Sequence, residues 1–163
     1  IVDTGGRFTE LPAVNDSAFI FHDGLARFQT PMGQERKYGY MDKTGRVVIP
    51  PQFHDSGHFS EGLAWVAVLK ERKWLYGFID KTGRIVIEPQ FVYQPGDFVD
   101  GLARVIGQSS SGFVDRSGTF RLTVDYEHTG DFFTEGLLPV IQGDPPRGVY
   151  LERGGRVAFE IPL

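Results

Sequence analysis

Carboxylates are the residues of this sequence whose spacing comes nearest to that of a catalytic set. They recur in two periodic rows along the 163-residue chain. The first row is Asp42, Asp80, Asp115 and Glu152, and the second is Asp23, Glu61, Asp100 and Glu135. A hydrolase would need two carboxylates in one pocket, with different surroundings that give them different roles. Regular spacing instead gives each member of a row the same surroundings, so we expect structural roles and no catalytic residues.

The first five residues contain a second motif that could carry chemistry. Ile1 to Gly5 reads Ile-Val-Asp-Thr-Gly, the loop pattern in which aspartic proteases place a catalytic carboxylate. The equivalent position of a later copy reads Asp-Lys-Thr-Gly, beginning at Asp42. We therefore interpret Asp3 as a turn residue and predict that the chain is not an enzyme.

Histidines offer the only candidate metal ligands among nitrogen and sulfur side chains, because the chain has no cysteine. His54 and His58 are four residues apart, a spacing that suits a metal site on a helix. Pro50-Pro51 before them and Gly57 between them predict a loop instead. We expect neither a metal nor another cofactor.

Charge and hydropathy exclude two classes of partner. The chain has 21 acidic and 17 basic residues and a net charge of −4, which gives no reason to expect nucleic acid. The longest apolar run, Leu63 to Leu69, is far shorter than the ~20 residues of a membrane-spanning helix, so no membrane insertion is expected. The chain starts without an initiator Met or a signal sequence, so we expect either a processed product or a piece of a longer protein, and its compartment stays open.

An internal repeat organises the whole chain. Tyr38 to Ile49 matches Tyr76 to Ile87 almost residue for residue, and weaker copies follow at 112–118 and 150–156. A second segment, Phe-x-acid-Gly-Leu, recurs around Gly24, Gly62, Gly101 and Gly136. We predict one repeat domain over 1–163. It comprises a truncated repeat at 1–37, repeats at about 38–75, 76–110 and 111–146, and a terminal partial repeat at 147–163.

This pattern resembles the WG repeat family of bacterial proteins, also called KWG. In that family, aromatic-Gly-aromatic-Ile-Asp-x-x-Gly is followed by x-Pro-x-Phe and by a Gly-Leu-Ala strand. The tryptophan that gives the family its name is replaced by Tyr38 and Tyr76, and then by Ser111 and Arg147, so the last two repeats are atypical, as caps often are. The resemblance implies binding through the repeats and no common catalytic activity.

The repeat unit predicts a β-meander. Asp-x-x-Gly between two apolar runs is typical of a type I turn closed by a left-handed glycine, and therefore of a β-hairpin. The Gly-Leu-Ala segment adds a third strand, as at about 63–69, 75–79 and 84–88, with Pro89 ending the last strand. We predict an all-β fold of tandem antiparallel, three-stranded meanders of 35–39 residues in an open, solenoid-like array. Closure into a propeller or barrel is the alternative.

Alternation along the Gly-Leu-Ala strands separates two faces. One face is apolar in every copy and is predicted to face the core: Ala26/Phe28, Ala64/Val66, Ala103/Val105 and Leu138/Val140. The other face varies, with Arg27, Trp65, Arg104 and Pro139 at one equivalent position. Because Trp and Arg are enriched at interface hot spots, we predict that this variable position contacts a partner. Ordinary solvated residues are the alternative.

These observations favour a non-enzymatic scaffold that binds another protein. The predicted contact residues are Arg27, Trp65, Arg104, Trp74 and Arg121. One alternative is an envelope module that binds glycan or peptidoglycan through aromatic platforms at Trp65, Trp74, Tyr76 and Tyr93. Another is an immunity-type partner that neutralises a bacterial toxin or effector. The sequence leaves the partner and the oligomeric state open.

Overall fold

A computed structural model describes residues 19–30, 35–124, 135–142, 147–152 and 156–162. These residues form fourteen β-strands and no helix, which confirms the all-β prediction. The strands make four small antiparallel meanders, none of which closes into a barrel. The segment Ile1 to Gly5, with the predicted turn residue Asp3, lies outside the described residues.

The four sheets follow one another along the chain. The first contains β1 (Phe21–His22), β2 (Leu25–Gln29), β3 (Tyr38–Asp42) and β4 (Val47–Phe53). The second contains β5 (Asp55–Ser56), β6 (Leu63–Lys70), β7 (Lys73–Asp80) and β8 (Ile85–Phe91). The third contains β9 (Leu102–Ile106), β10 (Ser111–Asp115) and β11 (Phe120–Thr123), and the fourth contains β12 (Leu137–Gln142), β13 (Arg147–Glu152) and β14 (Val157–Pro162). Each sheet joins the end of one sequence repeat to the start of the next.

The chain divides into two compact units, residues 1–89 and 90–163. Each unit has its own apolar core. In the first unit, Tyr40 and Phe59 pack edge to face, with ring centroids 4.7 Å apart, and the Tyr40 hydroxyl donates a hydrogen bond to the Gly57 carbonyl. In the second unit, Phe113 packs with Leu138 and neighbouring aliphatic side chains.

The Asp-x-x-Gly turns have the predicted geometry. Gly45, Gly83 and Gly118 adopt φ between 82° and 85°, the left-handed conformation that glycine tolerates best. Each of these glycine amides donates a hydrogen bond to the carbonyl of the aspartate three residues earlier. The hairpins between β3 and β4, β7 and β8, and β10 and β11 are therefore type I turns closed by a left-handed glycine, as the sequence predicts.

A second kind of hairpin was not predicted. At Asp23-Gly24, Glu61-Gly62, Asp100-Gly101 and Glu135-Gly136, both central residues have positive φ, as in type I′ turns. Such a turn folds the preceding residues back along the Gly-Leu-Ala strand. The first two sheets consequently gain a fourth strand of only two residues, β1 or β5, beyond the three that we predicted.

The prediction that Pro89 ends its strand is wrong, because β8 continues to Phe91. The equivalent strand β4 likewise runs through Pro50 and Pro51 to Phe53. Both strands lie at the edge of their sheets, where a missing amide hydrogen is tolerated. The register of β4 against β3 also shifts next to these prolines, between Tyr38 and Tyr40, so the ladder is already interrupted there.

The predicted core face is confirmed at every described repeat. All eight alternating residues of the Gly-Leu-Ala strands are at most 5% exposed. Because side chains of a strand alternate between faces, this register is fixed by burial of one face. The variable residues therefore lie on the opposite face, where their surroundings differ from repeat to repeat.

Candidate binding surface

Trp65 does not project to solvent, contrary to the outward orientation that we predicted for the variable position. Its side chain is only 6% exposed. The segment before Phe59 folds back over it, since the Gly57 amide donates to the Trp65 carbonyl at 2.9 Å. A Cβ atom on Gly57 would lie 2.6 Å from indole Cδ1, so the absent side chain of Gly57 makes room for the indole. The Tyr76 ring covers another side, with centroids 5.9 Å apart.

Arg27 is partly exposed and Arg121 is exposed, but each already has partners within the protein. The Arg27 guanidinium donates to the Ser56 carbonyl, lies 3.7 Å from the Asp55 carboxylate and stacks over Tyr38. It therefore connects β2 to the second sheet of the same unit. Arg121 binds the carboxylate of Asp115 through Nε and Nη2, at 2.7 and 2.6 Å.

Arg104 and Pro139 complete the variable position. Arg104 is half-buried, and its carbonyl accepts a hydrogen bond from the Gly96 amide, as the Trp65 carbonyl does from Gly57. Pro139 is exposed. The four equivalent residues thus have four different surroundings and do not form one uniform outward row.

Three of the four carboxylates in the first row, Asp42, Asp80 and Asp115, hold the hairpin turns as predicted. Oδ1 of Asp42 accepts hydrogen bonds from the Thr44 amide and hydroxyl and from the Arg46 amide, at 2.6–3.1 Å. Asp80 and Asp115 repeat this arrangement. The hydroxyl bond contributes most to lowering the pKa of each carboxyl below its ordinary value, and the amide bonds add to it. Glu152 instead pairs with Arg156 at 2.8–2.9 Å.

These lowered pKa values predict how stability depends on pH. The folded-state pKa lies below the ordinary value of 3.8, so the stabilising effect is complete above that pH and is lost as the pH falls through the folded-state values. Asp42→Asn/Asp80→Asn keeps an oxygen acceptor but does not titrate. We expect this variant to lose less stability than the parent between pH 4 and pH 2, measured as the midpoint of urea unfolding.

The matched control for that measurement is Glu71→Gln/Glu88→Gln, which changes two exposed carboxylates outside these turns. It should follow the parent profile through the acid range. Parallel profiles for the parent and the double asparagine variant would contradict the assigned role of the turn carboxylates.

A member of the second row joins two repeats. Oδ2 of Asp23 accepts a hydrogen bond of 2.6 Å from the Gly62 amide, which lies in the equivalent turn of the next repeat. Lys81 donates to the Asp23 carbonyl at 2.5 Å. This contact is structural, in line with the role that we expected for the row.

Two of the described histidines lie next to each other, and a third packs against a tryptophan. The rings of His22 and His58 lie 4.4 Å apart, and His54 packs edge to face against Trp74 at the same distance. Among the described residues, no three acidic, histidine or cysteine side chains are grouped so that they could hold a metal. No helix in the described part of the chain is long and apolar enough to cross a membrane.

The hairpin of β6 and β7 extends further than its counterparts. Each of its strands has eight residues, whereas β2, β3, β9 and β10 have five and β12 and β13 have six. At ~3.4 Å per residue, the ribbon is roughly 7–10 Å longer than these hairpins. We call residues 69–74 the ribbon tip. Its turn residues Glu71 and Arg72 both have positive φ, at 50° and 63°, although neither is glycine.

The ribbon tip exposes an apolar pair. Leu69 and Trp74 are direct cross-strand partners, and they are 53% and 44% exposed. His54 supports the indole, and its Nε2 lies 2.6 Å from the ammonium of Lys37. Glu35 in turn binds Lys37 at 3.0 Å.

Comparison with known families assigns the repeat. The family described as "WG containing repeat" matches residues 38–74, 76–106 and 112–144, which together cover more than half of the chain. The chain belongs to the WG repeat family. No curated protein matches it. The three matched segments follow the sequence repeats and not the four sheets, since the second and third sheets each cross from one matched segment into the next.

Close approach of the neighbouring strand explains why glycine follows the aromatic residue of the WG repeat, at Gly39 and Gly77. A Cβ atom on Gly39 would lie 2.5 Å from the Ile49 carbonyl oxygen and 2.7 Å from the Pro51 nitrogen. Gly77 lies in the same way against Ile87 and Pro89. The edge strand of each WG repeat thus passes too close to its neighbour for any side chain at this position.

Proposed function

We propose that this WG repeat chain is a non-enzymatic, protein-binding module that presents the ribbon tip to its partner. The observation that carries the proposal is the exposed cross-strand pair of Leu69 and Trp74. Single exposed apolar residues are common on protein surfaces, whereas two that lie directly opposite each other at the end of a long ribbon form a continuous apolar surface.

The geometry of the hairpin supports this role. Residues 63–80 pair without interruption from Leu63↔Asp80 to Lys70↔Lys73, so the tip is held by a regular ladder. A surface that is already ordered loses little conformational entropy when it binds. Tryptophan is also among the side chains most enriched at binding hot spots.

Of the five residues predicted from the sequence, Trp74 best fits partner contact. Trp65 is buried, and Arg27 and Arg121 already form ion pairs within the protein. The proposal therefore moves the binding surface from the variable position of the Gly-Leu-Ala strands to the end of the β6–β7 ribbon. Leu69, which we did not predict, becomes its second contact residue.

Affinity capture from a lysate of the source organism tests this proposal. We expect Trp74→Ala to reduce the captured partner at least tenfold, as loss of a hot-spot side chain does, with quantitative mass spectrometry as the measurement. Tyr93→Ala is the matched control, because Tyr93 is an aromatic residue with 63% exposure at another position. A partner retained equally by the parent and by Trp74→Ala would overturn the proposed surface.

A glycan is the alternative ligand, and the same variants distinguish it. Trp74 and Tyr93 are exposed aromatic residues on which a sugar ring could stack. Saccharide binding on a glycan array, lost in either variant and without a captured protein, would favour an envelope glycan-binding role. Capture of a toxin or effector through Trp74 would instead identify this chain as an immunity-type protein that neutralises it.

A further inference from the structure

We infer that the ribbon tip binds an acidic, extended peptide segment that pairs with the outer edge of β6 at Leu69 and places an apolar side chain against Trp74. This inference rests on the proposed function and specifies the chemistry of the partner. It is carried by three observations: the direction of the backbone groups along β6, the apolar pair, and the charges around it.

The backbone groups of β6 alternate between its two neighbours. On the outer side, the Ala67 carbonyl accepts from the His54 amide at 3.3 Å and the Trp65 carbonyl accepts from the Gly57 amide. Lys70 and Lys73 flank the two-residue turn, so their backbone groups face each other within the ribbon. Leu69, two residues after Ala67, therefore directs its amide and carbonyl outward.

Among the described residues, none pairs with the outer edge of β6 at Leu69. The two-residue strand β5 pairs with Val66 and Ala67, and in the described part of the chain pairing on this side ends at Ala67. An extended peptide can pair with such an edge through its own backbone, which is the usual mode of strand addition. The Leu69 amide and carbonyl offer one donor and one acceptor for this purpose.

The side chains next to this edge are apolar. Leu69 and Trp74 lie on the same face of the ribbon because they are directly opposite each other. Alternate residues of an added strand point to the same face, so one of them would lie over Leu69 and the indole. An aliphatic or aromatic side chain at that position of the partner fits this surface.

The charges around the pair favour acidic flanking residues. Lys70, Arg72 and Lys73 are exposed at the turn, and Lys37 contacts His54, which packs against the indole. Two carboxylates accompany these four cations, because Glu35 binds Lys37 and Glu71 lies in the turn. The tip is thus locally basic although the chain as a whole has a net charge of −4. Such a patch attracts an acidic segment and repels a basic one.

Selection from a displayed library of random decapeptides tests this inference on the intact chain. Peptides that bind the parent, after removal of those that bind Trp74→Ala, should be rich in Asp and Glu around one aromatic or aliphatic residue. Synthetic copies of the selected peptides should bind at least tenfold more weakly to Lys70→Glu/Lys73→Glu, measured by fluorescence anisotropy. Lys43→Glu/Arg116→Glu, which reverses two exposed cations at other turns, is the matched control and should retain binding.

The backbone part of the inference has its own test. Two peptides are made from the selected sequence, one methylated at the odd-numbered amides and the other at the even-numbered amides. Because only every second amide of a paired strand donates to its neighbour, methylation should abolish binding of one peptide only. Equal binding of both methylated peptides would overturn strand pairing.

The remaining outcomes separate this inference from the proposed function. If the selected peptides show no excess of acidic residues, or if no peptide is selected, the inference of an acidic peptide ligand is overturned. The proposed function still stands in that case if a partner protein is captured through Trp74. Vesicles of phosphatidylserine and phosphatidylcholine are the second probe. If they bind the parent through Trp74 and the peptides do not, the surface recognises anionic lipid and both proposals fail.

Discussion

Gly77→Ala is expected to lower the free energy of unfolding by about 3 kcal/mol, the upper range for an overpacked interior. The added Cβ would lie 2.7 Å from the Pro89 nitrogen and closer still to the Ile87 carbonyl oxygen. Both atoms belong to the backbone of β8, so they cannot move away as the end of a flexible side chain could. The measurement is equilibrium unfolding in urea, followed by circular dichroism.

Gly96→Ala is the matched control for Gly77→Ala. A Cβ at Gly96 would meet the Arg104 Cβ at 3.6 Å, an ordinary van der Waals distance, and we expect a change within about 0.5 kcal/mol. Gly39→Ala should repeat the effect of Gly77→Ala, because its Cβ would meet the backbone of β4 in the same way. If alanine is tolerated equally at positions 77 and 96, close approach of the edge strand is not the reason for the glycine.

The regular part of the fold could be predicted because the repeat displays it several times. Asp80, Thr82 and Gly83 are each required locally, since the carboxylate accepts the bonds of the turn and the glycine adopts positive φ. Alternation along the Gly-Leu-Ala strand likewise decides which face is buried. Such features depend on residues close together in sequence, and one sequence is enough to find them.

Two features of the fold were missed although their signals were present. Asp-Gly between apolar residues is the strongest short hairpin signal, and Asp100-Gly101 carries it. We predicted no hairpin there, because Asp100 was considered only as a member of a periodic row of acids. Proline usually ends a strand, and Pro89 was predicted to do so. At the edge of a sheet, however, a strand can continue through proline, as β8 does. Recognising the edge requires knowing the strand order, which lies beyond local sequence.

The binding surface was the least predictable part. Whether an outward residue is exposed depends on what folds over it, and Gly57 covers Trp65 from eight residues away in sequence. The ribbon tip was hidden for a different reason, because its type I′ turn contains Glu71-Arg72 and no glycine to mark it. Trp74 is one of the five contact residues predicted from the sequence, but its pairing with Leu69 follows from a register that the turn fixes.

Trp65→Ala is expected to lower the free energy of unfolding by about 3–5 kcal/mol, the usual range for truncating a buried tryptophan. The indole fills the space beneath Gly57 and packs against the Tyr76 ring, so its removal leaves a cavity that these neighbours close only in part. Trp74→Ala is a natural control within the same hairpin. Its side chain is 44% exposed, and we expect a loss of no more than about 1 kcal/mol.

Because the chain has only two tryptophans, each variant also reports on the other one by fluorescence. Trp65, seen alone in Trp74→Ala, should emit at short wavelength and resist quenching by acrylamide, whereas Trp74, seen alone in Trp65→Ala, should be quenched readily. Equal loss of stability in the two variants, together with equal quenching, would show that Trp65 is exposed. The variable position of the Gly-Leu-Ala strands would then again be a candidate for partner contact. A large loss for Trp65→Ala and a small loss for Trp74→Ala would leave the ribbon tip as a surface that can be altered without unfolding the protein, which the binding experiments require.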